Sequence, residues 1–280
     1  MFKKSYYCLV AGLPDLLFNE NKTGLDSSTF SGELKKELNE TDFHLVKLLF
    51  LPADNKNLLT LFFQPEKEFL PTGNFTRSFL EEQITQPTEL PCYMADFIFW
   101  IKNCEIKTLF PDAKNKLLSL FYEYVLQANN TFIQQWFSFD LNLRNVLTAL
   151  NCQKFNYKTE NQLIKTKNSA VYKLLTNNRL KADSYEEELS CAEIIFRIAE
   201  LDKSMIEKEK IIDTLKWNWL DEHTFFHYFT IEKILGFVLK LQITERWIKL
   251  DTETGKQLLQ KLLYELKTSY KFPAEFSTVK

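Results

Sequence analysis

Glycine is scarce in this 280-residue chain, at 6 residues, and proline modest at 8. Few glycines leave little room for phosphate-cradling loops or tight hairpins, and they favour helices. The five cysteines, Cys8, Cys92, Cys104, Cys152 and Cys191, form no C-x-x-C pair. An odd, widely spaced set signals neither a zinc cluster nor a disulfide framework, and reads as reduced thiols in the cytosol. No apolar run approaches the roughly 18 residues that a membrane span needs. A surplus of one charge sign is also missing: the formal net charge is −2 and the pI about 6.1. A chain living on nucleic acid or an anionic membrane carries a basic balance, which this one lacks taken whole. What is abundant is aromatic: 15% of residues, with 25 phenylalanines. Hydrophobic residues at 45% supply an ordinary globular core.

Helical periodicity recurs from about residue 40. Phe43, Val46, Leu49 and Phe50 share a face, and Pro52 is expected to stop that helix. Further stripes are Met94–Phe97–Ile98–Ile101–Cys104, Leu117–Leu120–Phe121–Tyr124–Ala128 and Leu143–Val146–Leu147–Leu150. Ser184-Tyr185-Glu186-Glu187 has capping-box spacing before Leu189, Ala192, Ile195, Phe196 and Ala199. The most apolar stripe is Ile231–Ile234–Leu235–Val238–Leu241, and Leu259–Leu262–Leu263–Leu266 is the last. The one plausibly extended segment is Tyr6 to Ala11. Lys3 and Lys4 before the Tyr6–Leu13 run have the length of a minimal signal-peptide core, but Pro14-Asp15 ends it without a clean cleavage site. Breakers at Leu70–Asn74 and Gln86–Pro91, and the polar stretch Asn151–Asp183, read as connections between helical lobes.

Catalytic motifs are hard to assemble. His223 and His227, spaced i and i+4, share a face if both are helical, yet Thr224 stands where a metalloprotease needs Glu. Thr252-Glu253-Thr254-Gly255-Lys256 lacks the upstream glycine and the following Ser or Thr of a phosphate loop, and reads instead as a helix cap. No catalytic, cofactor or metal residue is assigned. The segment 153–182 is locally basic, with Lys154, Lys158, Lys165, Lys167, Lys173, Arg179 and Lys181 against Glu160 alone. It reads as a solvated face, as a docking patch for an acidic protein partner, or, with Phe155, Tyr157 and Tyr172 interleaved, as a nucleic-acid stripe. Trp217-Asn218-Trp219 and Phe225–Phe229 are dense enough in rings to mean core, with some left over as interface anchors.

Several segments, in order along nearly the whole chain, carry a resemblance. They are Tyr6–Asp15, Pro71–Phe75, Phe139–Ala149, Leu215–Leu220 with Thr224–Phe229, Glu245–Trp247 and Thr252–Lys256. Together they resemble a bacterial family of unknown function encoded in V/A-type ATPase operons, in the place of the C subunit (the d subunit of the eukaryotic V-ATPase). The resemblance implies an all-α, three-lobed helical funnel formed by residues 1–280 as a single C-subunit-like domain. It implies a non-enzymatic coupling protein, present in single copy, that links the central-stalk subunits to the proteolipid ring. It further implies a cytoplasmic protein, peripheral on the inner face of the cell membrane and meeting the membrane only through its partners. No cofactor and no nucleic acid belong to that reading. The alternative from the residues alone is a helical nucleic-acid-binding or scaffold module using the basic 153–182 segment.

Overall fold

Side-chain caps start many of the helices. In the computed structural model, Asn39 accepts from the Asp42 amide at 2.8 Å and opens a helix, and Asn130 does the same for the Ile133 amide at 3.0 Å. Asp26 and Thr76 cap two shorter ones, and Ser204 with Glu207 forms a full capping box. The structure describes residues 4–18, 24–104, 110–159, 162–167, 169–176, 181–185, 189, 191–201 and 203–250.

Among the described residues the chain is all-helical, with no strand. The order is α1 (Tyr7–Ala11), α2 (Ser27–Glu37), α3 (Glu40–Phe63), α4 (Arg77–Thr85), α5 (Cys92–Lys102), α6 (Phe110–Val125) and α7 (Thr131–Lys154). Then follow α8 (Ala170–Thr176), a 3-10 turn (Ala182–Tyr185), α9 (Ala192–Glu200), α10 (Met205–Thr224) and α11 (Ile231–Lys249). None of the described helices is long and apolar enough to cross a membrane.

Helix α11 is buried on most sides and lies innermost, packed against α2, α3 and α10. Helix α3 packs on α6, and α6 joins α5 and α7. Helices α8 and α9 cover other faces of α7. One connected cluster of buried apolar side chains runs from Tyr6 to Ile243.

The structure corrects the sequence reading in several places. Pro52 does not stop its helix; α3 continues through it to Phe63. A proline inside a helix costs about 3 kcal/mol, and burying a leucine returns about 1.5–3 kcal/mol. Leu58 and Leu59, both buried beyond the proline, therefore offset the break. Tyr6–Ala11 is not extended: its last five residues form α1. The Tyr6 amide donates to the Phe229 carbonyl at 2.7 Å, but no strand lies alongside among the described residues, so helical bonds satisfy the rest of this backbone. Ser184 sits in the 3-10 turn and caps nothing, because the following helix starts at Ala192 with Cys191 as a bare N-cap. Glu186, Glu187 and the expected last stripe, Leu259 to Leu266, lie outside the described residues, as does Thr252–Lys256.

Two connections are held by buried polar side chains of neighbouring helices. Asn57 of α3 both donates to the Leu70 carbonyl (3.0 Å) and accepts from the Leu70 amide (2.8 Å). Asp54 accepts from Asn74 Nδ2 (2.6 Å) and from the Phe75 amide (3.1 Å). Asn145 of α7 pairs the same way with both backbone groups of Ile164, at 2.9 Å each. The polar stretch after α7 is thereby drawn into the core, where Leu163, Ile164, Val171 and Leu175 are buried.

Candidate functional site

Helices α7 and α10 meet through rings at one end. Trp219 of α10 stacks on Phe139 of α7 at 5.4 Å and lies 5.8 and 5.4 Å from Phe132 and Trp136. One turn further along, Lys216 Nζ donates to Asp140 at 2.6 Å, and the Tyr122 hydroxyl of α6 donates to its other oxygen at 2.6 Å. Beyond this bridge lies an open groove of about 540 Å³ lined mainly by α7 and α10, with Ile198 of α9 and Arg246 of α11. Residues from Asp140 to Lys154 of α7 and from Met205 to Lys216 of α10 line it, joined by the Asp140–Lys216 ion pair. Each wall repeats at helical spacing, which is why one face of each helix lines the groove.

The groove's acids are already engaged. Burial by itself pushes the Asp140 carboxyl up. The Lys216 and Arg144 charges, with hydrogen bonds from Lys216 and Tyr122, outweigh it and hold the carboxyl well below the usual range. Arg246 of α11 pairs with Glu209 at 2.9 Å and with Asp213, and the Trp247 indole also donates to Asp213 at 2.9 Å. The Arg144 guanidinium bonds the Tyr122 hydroxyl and sits in the field of Asp140. Lys154, Lys203 and Lys208 also line the groove, and among the described residues none of them forms an ion pair. The result is a groove of mixed lining, with three lysines outside any ion pair among the described residues, Lys203 in the field of Glu207, and the apolar side chains of Leu143, Leu147, Ile198 and Ile212.

Of the basic residues singled out from sequence, Lys154 alone lines this groove. Lys167 lines a separate cavity of about 250 Å³ between α6, α7 and the start of α8. Lys158, Lys165, Lys173 and Lys181 are exposed elsewhere, and Arg179 lies outside the described residues. Sequence reasoning missed Arg144, Lys203, Lys208, Lys216 and Arg246. The signal available was the spacing Lys208–Ile212–Lys216 on one face of α10, invisible while α10 was not read as a helix.

His223 and His227 do not share a helical face, because α10 ends at Thr224. His223 stacks on Trp219 at 3.7 Å with Nδ1 2.9 Å from the Trp219 carbonyl, whereas His227 Nδ1 lies 3.7 Å from Glu232. Among the described residues no group of three or more His, Cys, Asp or Glu side chains is placed to hold a metal ion.

The second surface is at the other end of α10. Trp219 is buried as core, but the aromatic run after it is not: Phe225 is 63% and Phe226 79% exposed, and Tyr228 and Phe229 are exposed too. Tyr7 of α1 lies 4.6 Å from Phe229 and extends the same patch. The groove's outer end has its own exposed apolar rim, with Phe155 after α7 and Met205 at the start of α10. At 1.5 Å per residue, the 20 residues of α10 separate these two surfaces by about 30 Å. A larger cleft of about 870 Å³ lies between Cys8–Leu16 and α2, lined by Leu9, Leu13, Leu16 and Phe30 together with Asp15, Glu33, Lys36 and Glu37.

No curated protein and no solved structure matches the chain. The family described as "Protein of unknown function (DUF2764)" matches residues 3–270. That match covers nearly the full length, and the chain belongs to this family.

Proposed function

We propose that this protein is a non-catalytic coupling component of a V/A-type rotary ATPase, joining the central stalk to the proteolipid ring. The observation that carries the reading is the pair of exposed apolar surfaces about 30 Å apart at the two ends of α10. A protein with one ligand needs one such surface; a protein that links two partners needs two. The in-order resemblance to the ATPase-operon family supplies the identity of the assembly, and a three-lobed, funnel-like arrangement is the architecture that goes with it. On this reading the chain is peripheral to the inner face of the cell membrane and is held there by its partners.

Torque transmission asks for stiffness between the two surfaces. The α10–α11 hairpin supports that demand, because α11 is largely buried from Ile231 to Thr244 and Arg246 ties its last turn to α10 through Asp213 and Glu209. A nucleic-acid reading of the 153–182 segment draws less support, since Lys154 and Lys167 line different cavities and form no continuous stripe.

The test is affinity purification of the tagged protein in mild detergent, followed by mass spectrometry. Proteins of the stalk, the catalytic head and the proteolipid ring are expected together. Their absence, in a strain that expresses the ATPase, overturns the assignment.

A further inference from the structure

We propose that the groove between α7 and α10 receives an acidic amphipathic helix from a protein partner. The proposal rests on reading the groove as a docking surface, and not on which assembly the partner belongs to.

Charge sets the sign of the occupant. Asp140, Glu209 and Asp213 are the groove's acids, and all three are engaged by Lys216 and Arg246. Lys154, Lys203 and Lys208 are left with no ion-pair partner among the described residues. Adding an anionic ligand satisfies them without displacing any existing bridge, and long-range attraction would speed its arrival.

Shape sets its class. The walls run from Asp140 to Lys154 and from Lys216 to Met205, roughly 16–21 Å at 1.5 Å per residue, or three to four helical turns. Leu143, Leu147, Ile198 and Ile212 supply apolar lining, and the cations come from both sides, Lys154 on α7, Lys203 just before α10 and Lys208 in its first turn. A helix with one apolar stripe and carboxylates flanking it fits that cross-section. The exposed side chains of Phe155 and Met205 then become contacts at its end instead of surface in water.

Two other occupants fit less well. A small phosphate-bearing ligand wants fixed N–H donors, yet the α10 N-terminus is already closed by its own Ser204–Glu207 capping box. The chain's own segment 251–280 is not acidic: it carries Lys256, Lys261, Lys267, Lys271 and Lys280 against Asp251, Glu253, Glu265 and Glu275.

The experiment uses the purified full chain and a fluorescein-labelled synthetic helix with leucines on one stripe and glutamates elsewhere. A lysine version of the peptide and sodium tripolyphosphate serve as further probes. Saturable binding of the glutamate peptide is expected, weakening as salt rises from about 50 to about 300 mM, with the lysine peptide inert. The triple variant K154E/K203E/K208E should lose affinity by about tenfold or more while keeping its melting temperature. The double variant F225S/F226S, at the far end of α10, should bind as the parent does. No saturable binding, or undiminished binding by the triple variant, overturns the proposal. So does tripolyphosphate that binds at these lysines and displaces the peptide, which would make the groove a small-anion site. Because purified protein and synthetic peptide suffice, failure here is separable from failure of the copurification test.

Discussion

Removing Asp140 should cost this protein more than most single substitutions do. In Asp140→Ala the Lys216 ammonium loses its counter-ion and the Tyr122 hydroxyl its carboxylate acceptor. Both side chains of the ion pair are largely shielded, at 16% exposed for Asp140 and 22% for Lys216, so solvent screening does little to discount the loss. A hydrogen bond to a charged group contributes about 1.5–3 kcal/mol, and a buried O–H that loses its acceptor costs about 1–3 kcal/mol. These sum to about 2.5–6 kcal/mol, a range that contains the roughly 3–5 kcal/mol that breaking a buried pair costs. For 280 residues, with an unfolding entropy of about 2.1 cal/mol/K per residue, that loss lowers the melting temperature by about 5–9 °C. The assay is urea unfolding followed by far-ultraviolet circular dichroism, on the parent, Asp140→Ala, Lys216→Met and the double variant. The cycle should return a coupling of about 1–3 kcal/mol. The pH dependence has a fixed sign. The Asp140 carboxyl is held below its unfolded value of about 3.9. Its stabilising effect is therefore fully present above about pH 4 and fades as pH falls below it, so parent and Asp140→Ala should converge in acid. A loss under about 1 kcal/mol at pH 7, or a gap that widens in acid, refutes the reasoning.

Asp54 should behave in the opposite sense. Burial pushes its carboxyl up to about 6, against hydrogen bonds from Asn74 and Phe75 that pull it down. The folded state keeps this proton longer than the unfolded one, so the group is most favourable below about pH 4 and loses stability as pH climbs through 6. Relative to Asp54→Asn, the parent should lose about 2–3 kcal/mol between pH 4 and pH 7, read from urea midpoints; a flat difference would contradict this. At Gly236 an added Cβ would sit 2.6 Å from Thr224 Cγ2, across the α10–α11 contact. Gly236→Ala should destabilise by about 1–3 kcal/mol despite alanine's better helix propensity, and adding Thr224→Ser, which deletes that methyl, should restore much of it. Urea midpoints of the two variants check this, and a Gly236→Ala chain as stable as the parent would count against the close contact. Finally, F225S/F226S should leave stability within about 0.5 kcal/mol, because both rings face solvent. It should also reduce concentration-dependent association in light scattering; a loss above about 2 kcal/mol would mean the rings are packed after all.

The sequence by itself determined the all-helical class and the buried stripes of α5, α6, α7 and α11. Met94, Phe97, Leu117, Val146 and Ile234 were legible because the period of 3.6 is a local property, written by which side of each helix must leave water. The family resemblance that supplies the assembly in the functional proposal also lives wholly in the sequence. Where local signals and packing disagreed, packing decided. Pro52 is a stop signal that the buried leucines beyond it override. Tyr6–Ala11 has strand-like residues but no strand beside it among the described residues. Helix α10 escaped notice because its groove face alternates Lys208 and Lys216 with apolar residues and so shows no clean stripe. The groove itself could not be read in advance. Its cations and acids come from α7, α10, α11 and the segment before α10, and their sequence neighbours say nothing of one another. Only tertiary structure brings Arg246 to Asp213 and Lys216 to Asp140, and so leaves Lys154, Lys203 and Lys208 without an ion pair among the described residues. Which charges remain free depends on distances across space, and a Coulomb interaction falls with those distances and not with separation along the chain.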